Sequence, residues 1–459
     1  MPKGETIVSK DLSIYQFDGE NARDEFNRQP IAKKIIDLLT SEIDLSPMII
    51  DGDWGTGKSE FCHKLINKFK AEHDQSQLLY IDAFQADHAD NPLMTIIAEI
   101  MTLIPEKSAK TSFLKKALPV IRYGTKAILK AGVGHVLREN AENIAEGLEE
   151  SIQDAANTAI DATVTAILKD HEEAEKNLKA LQILLAELAE DEPIIIFIDE
   201  LDRCRPDFSV HMLEVIKHTF DVKNVKFVLI TNTIQLRASI NHAYGKTIDA
   251  ARYLDKFIKF TIQLPEKVVG FSYEPKLASV EYFNQLVAQS SNLNSTELKS
   301  DNNGVVLFTH RLIESKNLSL REVETFVRHL EVANILGIGL CEGTIWGYIL
   351  LNIIGVFTDC FEPKLVRDIY QNNVDAFDLF GLIGIDGSSE VEIDGITGVI
   401  ILLASEAAHN SADFKDKVQA YDEDMKYNSL EQQLFEWRYR GSSYFNTIKK
   451  AIDTMHFRN

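Results

Sequence analysis

The chain has 459 residues, of which 45% are hydrophobic and 26% are charged, a composition typical of globular proteins with roughly two to four domains at this length. Its 48 basic and 70 acidic residues leave a formal net charge of −22, which argues against nonspecific coating of nucleic acid. The four cysteines are far apart and form no CxxC pair, which excludes a zinc ribbon and a disulfide scaffold.

This cysteine usage also indicates a reducing compartment. The first 30 residues contain no apolar stretch of the kind found in a secretory signal. We therefore expect a cytoplasmic protein, and a peripheral position at the inner membrane remains open.

Five short apolar runs predict the strands of a parallel sheet, at residues 48–51, 78–82, 194–198, 226–231 and 257–264. Each run is apolar throughout, as expected of strands that are buried on both faces. Helical patterns such as residues 31–39 and 61–69 lie between them. Alternating strands and helices predict an α/β fold with a doubly wound parallel sheet.

The α/β pattern covers residues 1–267 and is interrupted by residues 105–192, a segment too long for a single crossover. In this insertion apolar residues recur at helical spacing, with Leu178, Leu181, Leu185 and Leu188 at its end. Helical patterns also dominate residues 268–459. We predict a long helical insertion in the first domain and an α-helical C-terminal domain that acts as a lid, an effector or an interaction domain.

The insertion has an uneven charge distribution. Residues 107–138 hold eight Lys and Arg and no acid, whereas residues 139–192 hold fifteen acids against three bases. One interpretation is intramolecular pairing of two oppositely charged helices. The other is a basic surface on residues 107–138 for an anionic membrane or nucleic acid.

Residues 343–358 form a run of 16 residues without charge. This is shorter than the ~20 residues that a membrane-spanning helix needs. We favour a buried core helix over membrane contact.

A complete G-x-x-x-x-G-K-[ST] motif follows the first predicted strand and precedes a helical pattern. In such a motif the glycine-rich backbone surrounds the phosphates, the lysine contacts the β/γ oxygens and the hydroxyl binds Mg²⁺. The predicted nucleotide-binding residues are Gly52, Asp53, Trp54, Gly55, Thr56, Gly57, Lys58 and Ser59.

Acidic residues end the third predicted strand, at the edge where open α/β sheets bind ligands. Asp199 is predicted to hold Mg²⁺ together with Ser59, and Glu200 to polarise the attacking water. Asn232 ends the fourth strand and is predicted either to sense the γ-phosphate or to cap a helix. No guanine-binding Asn-Lys-x-Asp box occurs, so the expected ligands are ATP and Mg²⁺.

These motifs resemble those of the KAP family of P-loop NTPases. Residues 52–59 resemble its G-x-W-G-x-G-K-[ST] form, and residues 199–206 (D-E-L-D-R-C-R-P) resemble its D-D-L-D-R-C-x-P box with Glu200 at the second acid. Residues 81–85 (IDAFQ), 253–257 (YLDKF) and 318–324 (LSLREVE) are similar to three further family segments. The resemblance implies a P-loop NTPase sheet with an extra strand between the two nucleotide motifs. It also implies a place among phage-exclusion or membrane-associated signalling proteins.

Four further residues are candidates for the site. Asp202 is expected to orient Glu200 or Arg203. Arg321, on a helix that resembles part of a lid, is expected to reach the γ-phosphate in cis, and Arg252 to do so in trans. Arg28 is expected to border the adenine pocket. For each arginine the alternative is a surface ion pair.

The sequence therefore predicts a Mg²⁺-dependent ATPase that works as a conformational switch in bacterial defence against phage. The alternative is a nucleotide-gated interaction module that hardly hydrolyses ATP, either free or associated with a membrane. The expected partners, besides ATP, are a protein encoded nearby and a second copy of the chain.

Overall fold

The computed structural model describes residues 15–18, 24, 26–106, 109–111, 113, 176, 178–269, 275–299, 303–341, 343–385, 395–407, 426–436 and 443–458. The chain divides into two compact units. The first comprises Met1–Asp24 and Arg28–Pro265, and the second Glu25–Asn27 and Glu266–Asn459.

The first unit contains a parallel sheet of five strands. In chain order they are β1 (Met48–Asp51), β2 (Gln77–Asp82), β3 (Ile194–Asp199), β4 (Val225–Thr231) and β5 (Phe260–Gln263). The sheet order is β2-β3-β4-β1-β5, and every neighbouring pair is parallel. The predicted parallel sheet with an extra strand between the two nucleotide motifs is confirmed.

Apolar side chains on both faces of the sheet explain the burial of its central strands. Along β3, Ile194, Ile196 and Ile198 belong to one core, and the intervening Ile195 and Phe197 belong to the other. Successive side chains of a strand point to opposite faces, so a run that is apolar throughout can be covered by helices on both sides.

Helices flank this sheet. They are α1 (Gln29–Thr40), α2 (Lys58–Glu72), α3 (Ala83–Ala86), α4 (Pro92–Ile100), α5 (Pro206–Thr219), α6 (Thr233–Tyr244) and α7 (Ala250–Leu254). Buried residues of α1 and α2 pack on one face, and those of α4, α5 and α6 on the other.

The fifth predicted strand was wrong in extent and in burial. Residues 257–264 were expected to form a buried strand, but β5 begins at Phe260, because the chain before it turns at Phe257, whose N–H bonds to the Leu254 carbonyl. β5 is the last strand of the sheet, and Phe260 is 38% exposed. A strand at the edge has no neighbour on one side.

Only residues 109–111, 113, 176 and 178–192 of the charge-split segment 107–192 belong to the described part of the chain. The two interpretations of its charges therefore lie outside the described residues. Residues 178–188 are helical, as predicted, and Leu181 and Leu185 are fully buried in the core of the first unit.

The second unit has a short antiparallel pair, β6 (Lys267–Val269) and β7 (Pro275–Leu277), and is otherwise helical where described. Its helices are α8 (Ala278–Gln289), α9 (Gly304–Ser315), α10 (Leu320–Ile335), α11 (Trp346–Phe361), α12 (Pro363–Gln371), α13 (Ala376–Gly381), α14 (Gly395–Ala407), α15 (Lys426–Phe435) and α16 (Tyr444–Met455).

Helix α11 is the buried helix that the uncharged run 343–358 predicted. Its residues from Ile349 to Thr358 are all buried. Among the residues that the structure describes, no helix is both long enough and apolar enough to span a bilayer.

Close packing of α11 depends on a glycine. A Cβ on Gly347 would lie 2.5 Å from Phe435 Cε1 and 2.7 Å from the Leu434 carbonyl oxygen. Because a backbone oxygen cannot rotate away, we expect Gly347→Ala to lower the free energy of unfolding by about 1–3 kcal/mol. Gly381, in α13, has no atom within 4 Å of a built Cβ. Gly381→Ala is the matched control, and we expect it to leave the denaturation midpoint nearly unchanged.

Candidate nucleotide-binding site

Three loops meet at the carboxyl edge of the sheet. The phosphate loop, residues 52–59, follows β1; the acidic loop, residues 200–204, follows β3; and Asn232 follows β4. Strand β4 pairs with both β1 and β3, so Asn232 ends the strand beside the phosphate loop, as predicted. The carboxyl edge of an open parallel sheet is the usual place for a ligand.

The phosphate loop has a backbone that favours glycine. Gly55 and Gly57 both have φ of 77°, a left-handed conformation that residues with a Cβ adopt rarely. A Cβ on Gly52 would lie 3.0 Å from Thr56 Oγ1. The loop runs directly into the N-terminus of α2, where free N–H groups and the helix dipole favour an anion.

Lys58 is bent back over this loop. Its Nζ donates hydrogen bonds to the carbonyl oxygens of Gly52, at 2.6 Å, and Asp53, at 2.8 Å. Burial lowers the pKa of Lys58, while the carboxylates of Asp202 and Asp199 act in the opposite direction. A bound phosphate would add to that second effect, because a nearby anion favours the charged ammonium group.

Ser59 and Asp199 contact each other. The Ser59 side chain hydrogen-bonds to Asp199, which is 1% exposed. Asp199 also accepts from the Glu200 N–H, at 2.8 Å, and from the Tyr80 hydroxyl, at 3.2 Å. Burial raises the pKa of Asp199, and these hydrogen bonds partly oppose that rise.

This pair fits a magnesium ion. A hydroxyl and a carboxylate are the hard oxygen donors that Mg²⁺ prefers, and nucleotide-bound Mg²⁺ takes only one or two protein ligands besides phosphate and water. No cluster of three or more His, Cys, Asp or Glu suited to a metal occurs in the described part of the chain. Ser59 and Asp199 are donors of this kind, and their role as magnesium ligands stays a prediction.

Glu200 has an unusual backbone conformation. Its φ is 60° and its ψ is 25°, a left-handed conformation that is uncommon for a residue with a Cβ and that often marks a functional site. Its Oε1 lies 2.8 Å from Arg203 Nη1. Burial raises the pKa of Glu200, while Arg203 acts to lower it.

Both carboxylate oxygens of Asp202 accept hydrogen bonds. One oxygen, Oδ2, accepts from the indole N–H of Trp54, and the other, Oδ1, accepts from the Thr231 hydroxyl at 3.1 Å. The expected role of Asp202 in orienting Glu200 or Arg203 stays a prediction. In the structure Arg203 contacts Glu200 directly, because the two residues lie three apart on one tight turn.

Asn232 caps a helix and contacts the phosphate loop. Its Oδ1 accepts from the N–H groups of Ile234 and Gln235 at the start of α6, which is the capping alternative. Its Nδ2 donates to Asp53 Oδ1 at 3.1 Å. The proposed sensing of the γ-phosphate stays a prediction.

Arg28 is buried, with 4% exposure, and its guanidinium contacts main-chain carbonyls. Nη1 donates to the Thr56 oxygen at 2.8 Å and Nη2 to the Pro265 oxygen at 3.2 Å. Arg28 thus ties the phosphate loop to the chain after β5. Its expected place beside adenine stays a prediction.

The other two arginines lie on exposed positions. Arg252 forms a surface ion pair with Asp249, with Nε 3.3 Å from Oδ2, and its side chain is 87% exposed. Arg321 lies in the first turn of α10 and is exposed. The roles of Arg252 in trans and of Arg321 in cis stay predictions.

Sequence reasoning missed several members of this site. Tyr80 bonds to Asp199, and Thr233 bonds to both oxygens of Asp51, at 2.9 and 2.8 Å. The ion pair between Arg203 and Glu200 was not predicted either. Thr231 ends β4 and Thr233 follows it, so their position at the carboxyl end of a strand could have indicated a place in the site. No local sequence pattern marks Tyr80.

Comparison with known proteins identifies a family for most of this chain. The model of the KAP family P-loop domain matches residues 28–336. Among solved structures, the chain is similar to the Aeropyrum pernix ORC2 protein in its ADPNP–ADP complexes, with 13% identity and a TM-score of 0.35 over 97% of this chain and 90% of that one. That likeness is too weak to support an argument about function. No curated protein matches the chain.

Proposed function

Because the chain belongs to the KAP family of P-loop domains, with 28–336 matched, we propose that it is a Mg²⁺-dependent ATPase. The observation that carries the proposal is the convergence of Lys58, Ser59, Asp199 and Glu200 at one edge of the sheet, where the Ser59–Asp199 hydrogen bond joins the phosphate loop to the end of β3. An isolated glycine-rich turn would not bring a buried carboxylate to the hydroxyl that follows its lysine.

Each residue has a distinct task in this proposal. Lys58 and the backbone N–H groups of residues 52–59 bind the phosphates. Ser59 and Asp199 hold Mg²⁺, which neutralises charge on the β- and γ-phosphate oxygens when it is bound. Glu200 accepts a hydrogen bond from the attacking water and turns its oxygen towards the γ-phosphorus.

The surroundings of the Glu200 carboxylate suit this task. Its carboxylate is largely buried, with 17% of the side chain exposed, and the Arg203 guanidinium keeps it oriented. A pure binding module has no need for an acid directly after Asp199. This residue therefore favours hydrolysis over the alternative of a nucleotide-gated module with little turnover.

We further propose that hydrolysis drives a conformational switch. Arg321 in cis and Arg252 in trans would respond to the γ-phosphate, the second of them in an assembly with a second copy of the chain. A protein encoded nearby would bind one state of the switch, and bacterial defence against phage is the proposed setting. Support for that setting comes from family resemblance alone.

A metal-depletion assay tests the reaction. We expect phosphate release from ATP in the presence of Mg²⁺, loss of release in excess EDTA, and recovery on adding Mg²⁺ back, because the triphosphate charge is otherwise uncompensated. Release from GTP should be slower. Undiminished turnover in EDTA would contradict the Mg²⁺ site, and tight ATP binding without any turnover would favour the interaction module.

A further inference from the structure

Asp202 anchors the acidic loop from two sides. Its Oδ2 accepts from the indole N–H of Trp54, which belongs to the phosphate loop. Its Oδ1 accepts from the hydroxyl of Thr231, the last residue of β4. Asp202 is only 8% exposed, and a buried carboxylate with both oxygens engaged by separate elements has little freedom to move.

The position of Glu200 depends on this anchor. Leu201–Arg203 is a single tight turn, in which the Arg203 N–H bonds to the Glu200 carbonyl at 3.1 Å. Glu200 itself has a left-handed backbone, a conformation that persists only when surrounding contacts hold it. A shift of Asp202 would therefore move the carboxylate of Glu200, two residues away.

Trp54 is not a packing residue. It is 50% exposed, so its ring adds little to the hydrophobic core, yet its single polar atom points to a buried carboxylate. The neighbouring Asp53 is also bound, because Asn232 Nδ2 donates to its Oδ1 at 3.1 Å. Two successive side chains of the phosphate loop thus contact the segments that follow β3 and β4.

We propose that Trp54 is a positioning residue for ATP hydrolysis. Its hydrogen bond to Asp202 fixes the acidic loop, and with it Glu200, relative to the phosphate loop. This inference rests on the proposed function of Glu200. Trp54 fixes the acidic loop when the phosphate loop is correctly formed. It affects the placement of the attacking water more than the binding of the nucleotide, because Lys58 and the loop backbone bind the phosphates.

The first test is Trp54→Phe, which keeps an aromatic ring and removes the N–H. We expect kcat for ATP to fall about tenfold, the usual consequence of losing one hydrogen bond to a charged group. The dissociation constant of a non-hydrolysable ATP analogue, measured by calorimetry, should change less than about threefold, since the phosphate contacts remain. A merely structural change would alter the melting temperature and both constants together.

A second pair of variants tests the hydrogen bond that holds Asp202 from the other side, which comes from Thr231 at the end of β4. Thr231→Val removes the hydroxyl at constant shape and should lower kcat, whereas Thr231→Ser keeps the hydroxyl and should retain most of it. In an Asp202→Ala background, Trp54→Phe should cause no further loss of kcat, because two residues that act through one contact are not additive.

Tyr244→Phe is the matched control. It also removes a donor to a carboxylate, Glu214, but at the far end of the 12-residue α6, about 18 Å along the helix from Asn232. We expect wild-type kcat from it.

Two results would overturn the inference while leaving the proposed function intact. One is that the wild type hydrolyses ATP and Trp54→Phe has the same kcat. The other is a loss of affinity for the analogue at constant kcat, which would make Trp54 a nucleotide contact. A wild type without any ATPase activity would refute the proposed function as well.

Discussion

Lys58→Ala is expected to weaken ATP binding strongly. The Lys58 ammonium group lies over the phosphate loop, where it donates hydrogen bonds to the carbonyls of Gly52 and Asp53. Truncating one partner of a buried charge pair costs about 2–5 kcal/mol, so we expect ATP affinity to fall by about 100-fold or more. Isothermal titration calorimetry measures this directly.

Lys68→Ala provides the control for that experiment. Lys68 lies on the same helix, but its Nζ pairs with Glu72 at 3.1 Å in the last turn of α2. Nucleotide affinity should remain at the wild-type value, since Lys68 lies about 15 Å along the helix from Lys58. If Lys58→Ala bound ATP as tightly as Lys68→Ala, the assignment of the phosphate site would be wrong.

The Lys58→Ala variant also tests the proposed biological setting. Cells that express the wild-type chain with its genomic neighbours should resist phage in a plaque assay, and Lys58→Ala should remove that resistance. Equal plaque counts with and without the wild-type genes would contradict the role in phage defence.

Local sequence patterns predicted the sheet and the two nucleotide motifs. The four strands β1 to β4 are apolar runs with polar residues at their carboxyl ends, and this pattern depends only on neighbouring residues. The loops that follow these strands lie close together, because parallel strands place all their carboxyl ends on one edge of the sheet. Lys58, Ser59, Asp199 and Glu200 could therefore be assigned to one site before any contact was known.

Contacts between distant segments could not be predicted in the same way. Trp54 and Asp202 are 148 positions apart, and nothing in either neighbourhood specifies the other. The sequence offered Glu200 and Arg203, close to Asp202 along the chain, as the residues that Asp202 would orient, and it gave no sign of the contacts that Asp202 makes. Tertiary packing instead placed Trp54 and Thr231 against its two oxygens.

The position of β5 at the edge of the sheet could not be predicted from local sequence patterns either. The fifth apolar run resembles the others, but β5 pairs only with β1 in the sheet and its side chains are partly exposed. Which strand lies at an edge depends on the order of the whole sheet. For the same reason the hydrogen bond from the buried Arg28 to Pro265, after β5, could not be predicted.

Glu200→Gln should separate binding from hydrolysis. Glutamine keeps the size of the side chain and can still accept a hydrogen bond from Arg203, so the left-handed turn at residue 200 should persist. It lacks the negative charge that polarises water. We expect ATP affinity close to that of the wild type and hydrolysis slower by about 100-fold, the usual consequence of losing a general base.

Glu72→Gln is the matched control, because it makes the same chemical change in the ion pair with Lys68 in the last turn of α2. It should hydrolyse ATP at the wild-type rate. Single-turnover measurements with saturating ATP isolate the chemical step from product release. If Glu200→Gln and Glu72→Gln hydrolysed ATP equally fast, Glu200 would not be the base. Because Asp202 has both oxygens engaged by Trp54 and Thr231, the base would then have to come from outside the acidic loop or from a second copy of the chain.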